Sequence, residues 1–241
     1  MTTYNLISEC TIKTLRSIPT QSLIDALVLK NWPMSYIEGA RPLKRGQRMA
    51  GRAVTLRFIP HRPDIAADKS QGEKSPEYVA IELCGPNEVL VVDAMGLTYS
   101  SIGGDIKFMR LKQRNAAGLV TDGSVRDSNA LIEYGFPIYS ASTTSKQGPG
   151  ECWPWQVNDA IQCGGTLVRP GDAVVGDDDG VIIVPSQIVE EIVVIAKQRE
   201  FVEEIVKCQL EKENCSPGKY YPFNDLTWEL YEKQTGMKRP F

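Results

Sequence analysis

The chain has 241 residues, of which 42% are hydrophobic and 24% charged, with 27 basic against 30 acidic side chains and a formal net charge of -3. This is the composition of an ordinary globular protein with room for one substantial core, and with no Lys/Arg run interleaved with aromatics it excludes an electrostatic footprint for direct nucleic-acid binding. Six scattered cysteines without a CxxC pair and a single histidine, His61, exclude a zinc site or disulfide scaffold, and with no secretion signal or long apolar span the chain reads as a cytoplasmic protein without membrane contact.

In chain order, Gln21 to Asn31 carries Leu23, Ile24, Leu27 and Val28 at helical spacing with Thr20 as its expected cap. GRAVTLRF, within Gly46 to Phe58, alternates as a strand, and Pro60 to Pro76 is a breaker-rich loop whose His61, Arg62, Lys69 and Lys74 read as solvated charges. Tyr78 to Leu83 predicts a short helix. The apolar run Val89 to Asp93 predicts a buried strand, followed by a loop through Tyr99, Ser100 and Ser101 that helps to wall a pocket.

The next stretch, GGDIKFMRLKQRNAAGLVTDGSVRD from Gly103 to Asp127, organises the chain. Asp105 reads as a helix N-cap, Gly103 and Gly104 leave space above it, and the free amides of Ile106, Lys107 and Phe108 form an anion site at the positive end of the helix dipole. Ala117 to Thr121 predicts a buried strand, with Asp122-Gly123 as a turn that sets Arg126 and Asp127 at the strand's carboxyl end, where open α/β sheets collect ligands. A guanidinium can grip a carboxylate or keto acid with two prongs, and an aspartate is a hard oxygen ligand suited to magnesium or manganese.

Ser128 to Tyr134 predicts a helix closing at Gly135, Pro137 to Ser140 a strand, and Ala141 to Trp153 a hydroxyl-rich loop. Ala173 to Gly176 and Val181 to Val184 form a hairpin around Asp177-Asp178-Asp179-Gly180, whose acids lack the ligand spacing of an EF-hand and read as turn residues. A helix is expected from Ser186 to about Lys212, long enough to reach a neighbouring subunit. Beyond Cys215 the chain is aromatic (Tyr220, Tyr221, Phe223, Trp228, Tyr231), and this extension is expected to pack at an interface.

The Gly103 to Asp127 stretch, preceded by VLVVDAMG and followed by VVGDDDGVIIVP, resembles the family of the class II 4-hydroxy-4-methyl-2-oxoglutarate aldolases and the RraA regulators of ribonuclease E. The likeness runs from about Thr20 to Lys212 and places the chain in a longer sub-branch, divided into an RraA-like aldolase domain at 1–214 and a C-terminal extension at 215–241. It implies a compact layered α/β/β/α domain of the RraA-like, swivelling-domain-like type with a long C-terminal helix and tail. It also implies a homotrimer or homohexamer with the site at a subunit interface, and a divalent metal, Mg2+ or Mn2+. On its pattern Arg126 binds the 2-oxo acid, Asp127 ligates the metal, and Asp105 holds metal-bound water. The substrate carboxylate falls to the backbone around Gly104, Ile106 and Lys107. A glutamate from the adjacent subunit completes the set; Glu200, Glu203 and Glu204 all fit, and the helical wheel favours Glu203 as nearest the apolar stripe.

The implied activity is cleavage of a 4-hydroxy-2-oxo acid to pyruvate, with oxaloacetate decarboxylation beside it, through Arg126, Asp105 and Glu203. The alternative is a non-catalytic, protein-binding regulator of ribonuclease E. Lys107 could suggest a Schiff-base mechanism, but a first-turn lysine with no evident depressing neighbour is expected to stay protonated.

Overall fold

The computed structural model describes residues 6–241. Its frame is a succession of strand-helix units. Strand β2 (Met49–Pro60) leads through two short 3-10 turns (Pro63–Asp68 and Gly72–Lys74) and helix α3 (Pro76–Leu83) to β3 (Glu88–Asp93). Helix α4 (Asp105–Gln113) then returns the chain to β4 (Gly118–Val125), and α5 (Ser128–Glu133) to β5 (Ile138–Thr143). β2, β3, β4 and β5 pair in parallel. The apolar run Val89 to Val92 of β3 is what a strand covered on both faces requires, and every residue of β4 is likewise buried, the polar Thr121, Asp122 and Ser124 included.

Antiparallel pieces extend this sheet and curl it. β9 (Ala173–Asp177) pairs the first part of β2 and β6 (Cys152–Val157) its second part, while β10 (Gly180–Val184) pairs β9. The segment through Tyr36 bridges Ile182 of β10 and continues into β1 (Arg41–Pro42), which pairs β5, so the sheet comes close to closing on itself. A small hairpin, β7 (Ile161–Cys163) with β8 (Thr166–Val168), completes the strands.

Side chains of period two divide among three cores. Leu90 and Val92 of β3 face outward under α3, α4 and α5 with Phe108, Leu111 and Leu131. Val89 and Val91 face inward with Val120, Tyr139, Val174 and Ile183. On the opposite outer face, α1 (Glu9–Leu15), α2 (Thr20–Leu29) and the first half of α6 (Val189–Glu213) cover Val175, Ile182 and Val184. The expected layering of helix, strand, strand and helix is therefore present, with the long C-terminal helix. The β9–β10 hairpin turns through Asp178 and Asp179 as anticipated, while Asp177 turns inward to accept from the Thr20 amide and hydroxyl, both at 2.9 Å. Thr20 is thus the first helical residue after an N-cap at Pro19, and its hydroxyl serves the hairpin instead of the helix end.

α6 ends at Asn214 in the left-handed conformation common at helix C-termini. The chain then folds back: α7 (Asp225–Thr235), opened by an Asn224–Thr227 capping box, lays Tyr231 against Val202 and Ile205 of α6. Phe223 and Phe241 flank the Arg199 guanidinium.

Candidate functional site

The backbone after β3 builds the site. Ser101 bridges Ser124, the Ile102 amide donates to the Ser124 carbonyl at 2.9 Å, and the Arg126 amide donates to the Gly103 carbonyl at 3.0 Å. The segment entering α4 is thereby laid beside the carboxyl end of β4, bringing Gly104 and Asp105 onto Arg126 and Asp127. Contact is close enough that a Cβ on Gly104 would fall 2.2 Å from Asp127 Oδ2 and 2.6 Å from Arg126 Cγ.

Asp127 occupies the N-cap position of α5 with φ at 56°, a left-handed conformation that aspartate tolerates better than most residues. It does not cap α5. Its Oδ2 instead accepts from the Asp105 amide at 3.1 Å and lies 3.4 Å from Arg126 Nε. Among the described residues nothing bonds Asp127 Oδ1, and both Arg126 and Asp127 remain about two-fifths exposed, at 40% and 44%. Two clefts meet at this pair. One, of about 530 Å³, runs over Gly103 to Lys107 to Glu77, Tyr78 and Gln147; the other, of about 630 Å³, runs over Ser128 to Thr143, Thr144 and Ser145.

Three expectations are corrected here. The N-cap of α4 is Gly104, not Asp105, because the Gly104 carbonyl accepts the first intrahelical bond, from the Phe108 amide at 3.0 Å, which also removes Phe108 from the free donors. Among the described residues, nothing accepts from the amides of Ile106 and Lys107, which stay open at the helix tip. Asp122-Gly123 is not a turn but an irregular part of β4, where the Asp122 carboxylate accepts from the amides of Ala94 at 2.7 Å and of Gly96 and Gly164 at 3.2 Å. Finally, Lys107 does have a depressing influence. Burial pushes its ammonium below the usual lysine value, partly offset by Glu77 with Oε1 at 3.5 Å.

Sequence reasoning missed two partners of these residues. The Tyr134 hydroxyl donates to Asp105 Oδ1, which frees that carboxylate from any capping role and fixes its direction. Glu77, from the helix preceding β3, faces Lys107. Neither pairing has a sequence signal, since each joins segments about 30 residues apart.

Glu200, Glu203 and Glu204 lie on α6, and no α6 residue lines either cleft within this chain. Glu203 lies 3.7 Å from Arg199, and burial raises its carboxyl above the ordinary glutamate value; Glu200 accepts from the Ser22 hydroxyl. Lys69 of the Pro60 to Pro76 loop sits over the Trp153 ring, and Arg62 pairs with Asp64. A larger groove, of about 910 Å³, opens between the β7–β8 hairpin and the segment after α2. Trp32, Pro33, Met34, Leu167, Pro185 and Ile188 make it predominantly apolar, so the convergent polar groups of a reaction site belong to the smaller clefts.

The divalent cation implied by the resemblance can be tested against these groups. Among the described residues no three His, Cys, Asp or Glu side chains cluster as a preformed metal cage. One unbonded carboxylate oxygen on Asp127, with Asp105 bonded to the neighbouring helix turn, fits a hard cation that takes one protein ligand and keeps its waters, as magnesium commonly does. None of the described helices is long and apolar enough to cross a membrane.

Comparison with known proteins gives the same assignment as the fold. A Halalkalibacterium halodurans protein named "Putative 4-hydroxy-4-methyl-2-oxoglutarate aldolase" is 32% identical over 197 residues, covering 80% of this chain and 85% of that one. The crystal structure of Streptomyces coelicolor RraAS2, described as an unusual member of the RNase ES inhibitor RraA family, superposes with a TM-score of 0.77 at 31% identity, covering 84% of this chain and 98% of the other. A Pseudomonas syringae protein of uncharacterized function shares the fold at a TM-score of 0.79 and 21% identity, covering 91% of this chain and 96% of that one. The RraA-like family, described as Aldolase/RraA, matches residues 20–183, and the chain belongs to it.

Proposed function

We propose that the protein is a divalent-metal-dependent aldolase that cleaves a 4-hydroxy-2-oxo acid to pyruvate and also decarboxylates oxaloacetate. The observation that carries this reading is the convergence of Arg126, Asp127 and Asp105 on the tip of α4, joined by the Asp105 amide to Asp127 bond. The substrate carboxylate sits on the open amides of Ile106 and Lys107, over the space left by Gly104, where the helix dipole favours an anion. Arg126 donates to the 2-oxo oxygen and opposes the negative charge that gathers there as the carbon–carbon bond breaks. Asp127 would hold Mg2+ or Mn2+, with Asp105 placed to hold its water, and the bound cation would supply Lewis acidity to the 2-oxo acid.

A glutamate of a neighbouring copy, Glu203 in preference to Glu200 or Glu204, completes the proton path in a trimer or hexamer. Its support is the length of α6, 25 residues, and the raised carboxyl value of Glu203. The test is pyruvate release from 4-hydroxy-4-methyl-2-oxoglutarate and oxaloacetate by purified protein with Mg2+ or Mn2+, beside Arg126→Ala and Asp127→Ala. Turnover by the wild type alone supports the reading, and no release from either substrate overturns it.

The likeness to the Streptomyces structure favours a second reading, a binding protein that regulates a ribonuclease E-type enzyme. Co-purification with such a ribonuclease by a protein that shows no turnover would replace the first reading with the second.

A further inference from the structure

Asp105 is held from both ends of one short helix. α5 has six residues, with Asp127 at its N-cap and Tyr134 at its C-cap. Asp127 Oδ2 accepts the Asp105 amide at 3.1 Å, while the Tyr134 hydroxyl donates to Asp105 Oδ1 and lies 3.4 Å from the Asp105 carbonyl oxygen. The tyrosine is itself fixed. Its half-buried ring packs on the outer core that α4 and α5 cover, and Lys112 Nζ of α4 sits 4.9 Å from the ring centre.

The two acids therefore match in one respect. Asp127 has Oδ2 committed and Oδ1 unbonded; Asp105 has Oδ1 committed, and among the described residues nothing bonds its Oδ2. A carboxylate tied by one oxygen to a fixed phenol cannot turn without breaking that bond, so a single oxygen is left to accept from a guest. Asp105 is only half-buried, and water alone could satisfy both of its oxygens. What the phenol adds is direction.

We propose that Tyr134 is a positioning residue for proton transfer in this site, acting through Asp105: it holds Oδ1 and leaves Oδ2 to hold the water that carries the proton. This rests on the aldolase reading. In the cleavage the 4-hydroxyl gives up its proton, the C3–C4 electron pair passes into the enolate of pyruvate as C4 becomes a carbonyl, and a proton returned to C3 makes the methyl group. The last step can be followed alone, because its reversal removes one methyl proton of pyruvate and solvent deuterium takes its place.

Proton NMR of pyruvate in D2O with Mg2+ measures this exchange in the wild type, Tyr134→Phe, Asp105→Ala and the double variant. Phenylalanine keeps the ring and its packing, so the circular dichroism spectrum and Tm of Tyr134→Phe should stay close to those of the wild type. Its kcat for exchange is expected to fall by about tenfold or more, the scale of one hydrogen bond to a charged group, with KM for pyruvate within about twofold. In the Asp105→Ala background the same change should cost less than about twofold, because a residue that acts through the carboxylate has nothing to act on once the carboxylate is gone. A tyrosine with a merely structural role would cost the same in both backgrounds. Unchanged exchange by Tyr134→Phe, a loss carried by KM, an equal loss in both backgrounds, or a phenylalanine variant that does not fold overturns the assignment and leaves the aldolase reading intact. A wild type without exchange overturns the assignment as well, and if it also releases no pyruvate from its substrates the aldolase reading falls with it.

Discussion

The Asp127 carboxylate accepts the backbone amide of Asp105 at 3.1 Å, across 22 residues of sequence, and so ties the end of β4 to the tip of α4. That one bond holds together the acid, the guanidinium beside it and the open helix amides, and it depends on the bare α-carbon of Gly104.

Gly104→Ala tests this dependence. The glycine has φ at -154°, so an alanine meets no backbone strain there; the penalty is the Cβ placed 2.2 Å from Asp127 Oδ2. A shift of about 1 Å in a reacting group can cost about a hundredfold in rate. The variant is expected to keep the wild-type circular dichroism spectrum and lose pyruvate formation by that order. Full activity would show that the acid and guanidinium are not set by this contact.

Arg126→Lys keeps the positive charge and loses the planar fork. A single ammonium cannot reproduce two parallel donors to a carboxylate or keto acid. A fall in kcat/KM of about a hundredfold, carried mostly by kcat, is expected from steady-state assays, as for other donors to a developing oxyanion. Equal kcat with a raised KM would move Arg126 from the reacting oxygen to simple substrate attachment.

Asp172 gives a pH dependence. Its carboxyl is 3% exposed, accepts from the amides of Arg169 at 2.9 Å and Ser186 at 3.1 Å, and burial holds it above its ordinary value of 3.8. The folded protein therefore grips this proton more tightly than the unfolded chain does. The resulting stability is fully present below the ordinary value and is lost as pH rises through the raised folded value. Asp172→Asn cannot ionise, so its deficit relative to wild type in urea unfolding should be larger near about pH 4 than near about pH 7. An equal deficit at both would remove burial of the charge as a factor in stability.

The tail contributes to stability through its own small core. Tyr231 is 4% exposed and packs with Val202 and Ile205, and its ring meets Phe201 edge-on at 6.2 Å. Tyr231→Ala should destabilise the protein by about 3 kcal/mol, in line with other large aromatic truncations in cores. Thermal unfolding measures it, and an unchanged Tm would mean that the extension folds independently of α6.

Local pattern determined much of this protein. The buried strands at Val89 to Asp93 and Gly118 to Thr121, the acidic hairpin after Ala173, the long C-terminal helix and the adjacency of Gly103, Gly104 and Asp105 all follow from periodicity and turn chemistry, which act over a few residues. The pairing of Arg126 with Asp127 is likewise written in the chain order. Tertiary structure decided what those side chains do with their atoms. Asp105 yields its capping role because the helix begins at Gly104 and its own carboxylate meets Tyr134; Asp122 leaves a predicted turn to gather amides from two other segments; and Lys107 finds Glu77 across a cleft. Each of these outcomes depends on which strand lies beside which, and in what register, and a hydrogen bond is lost within an ångström of misplacement.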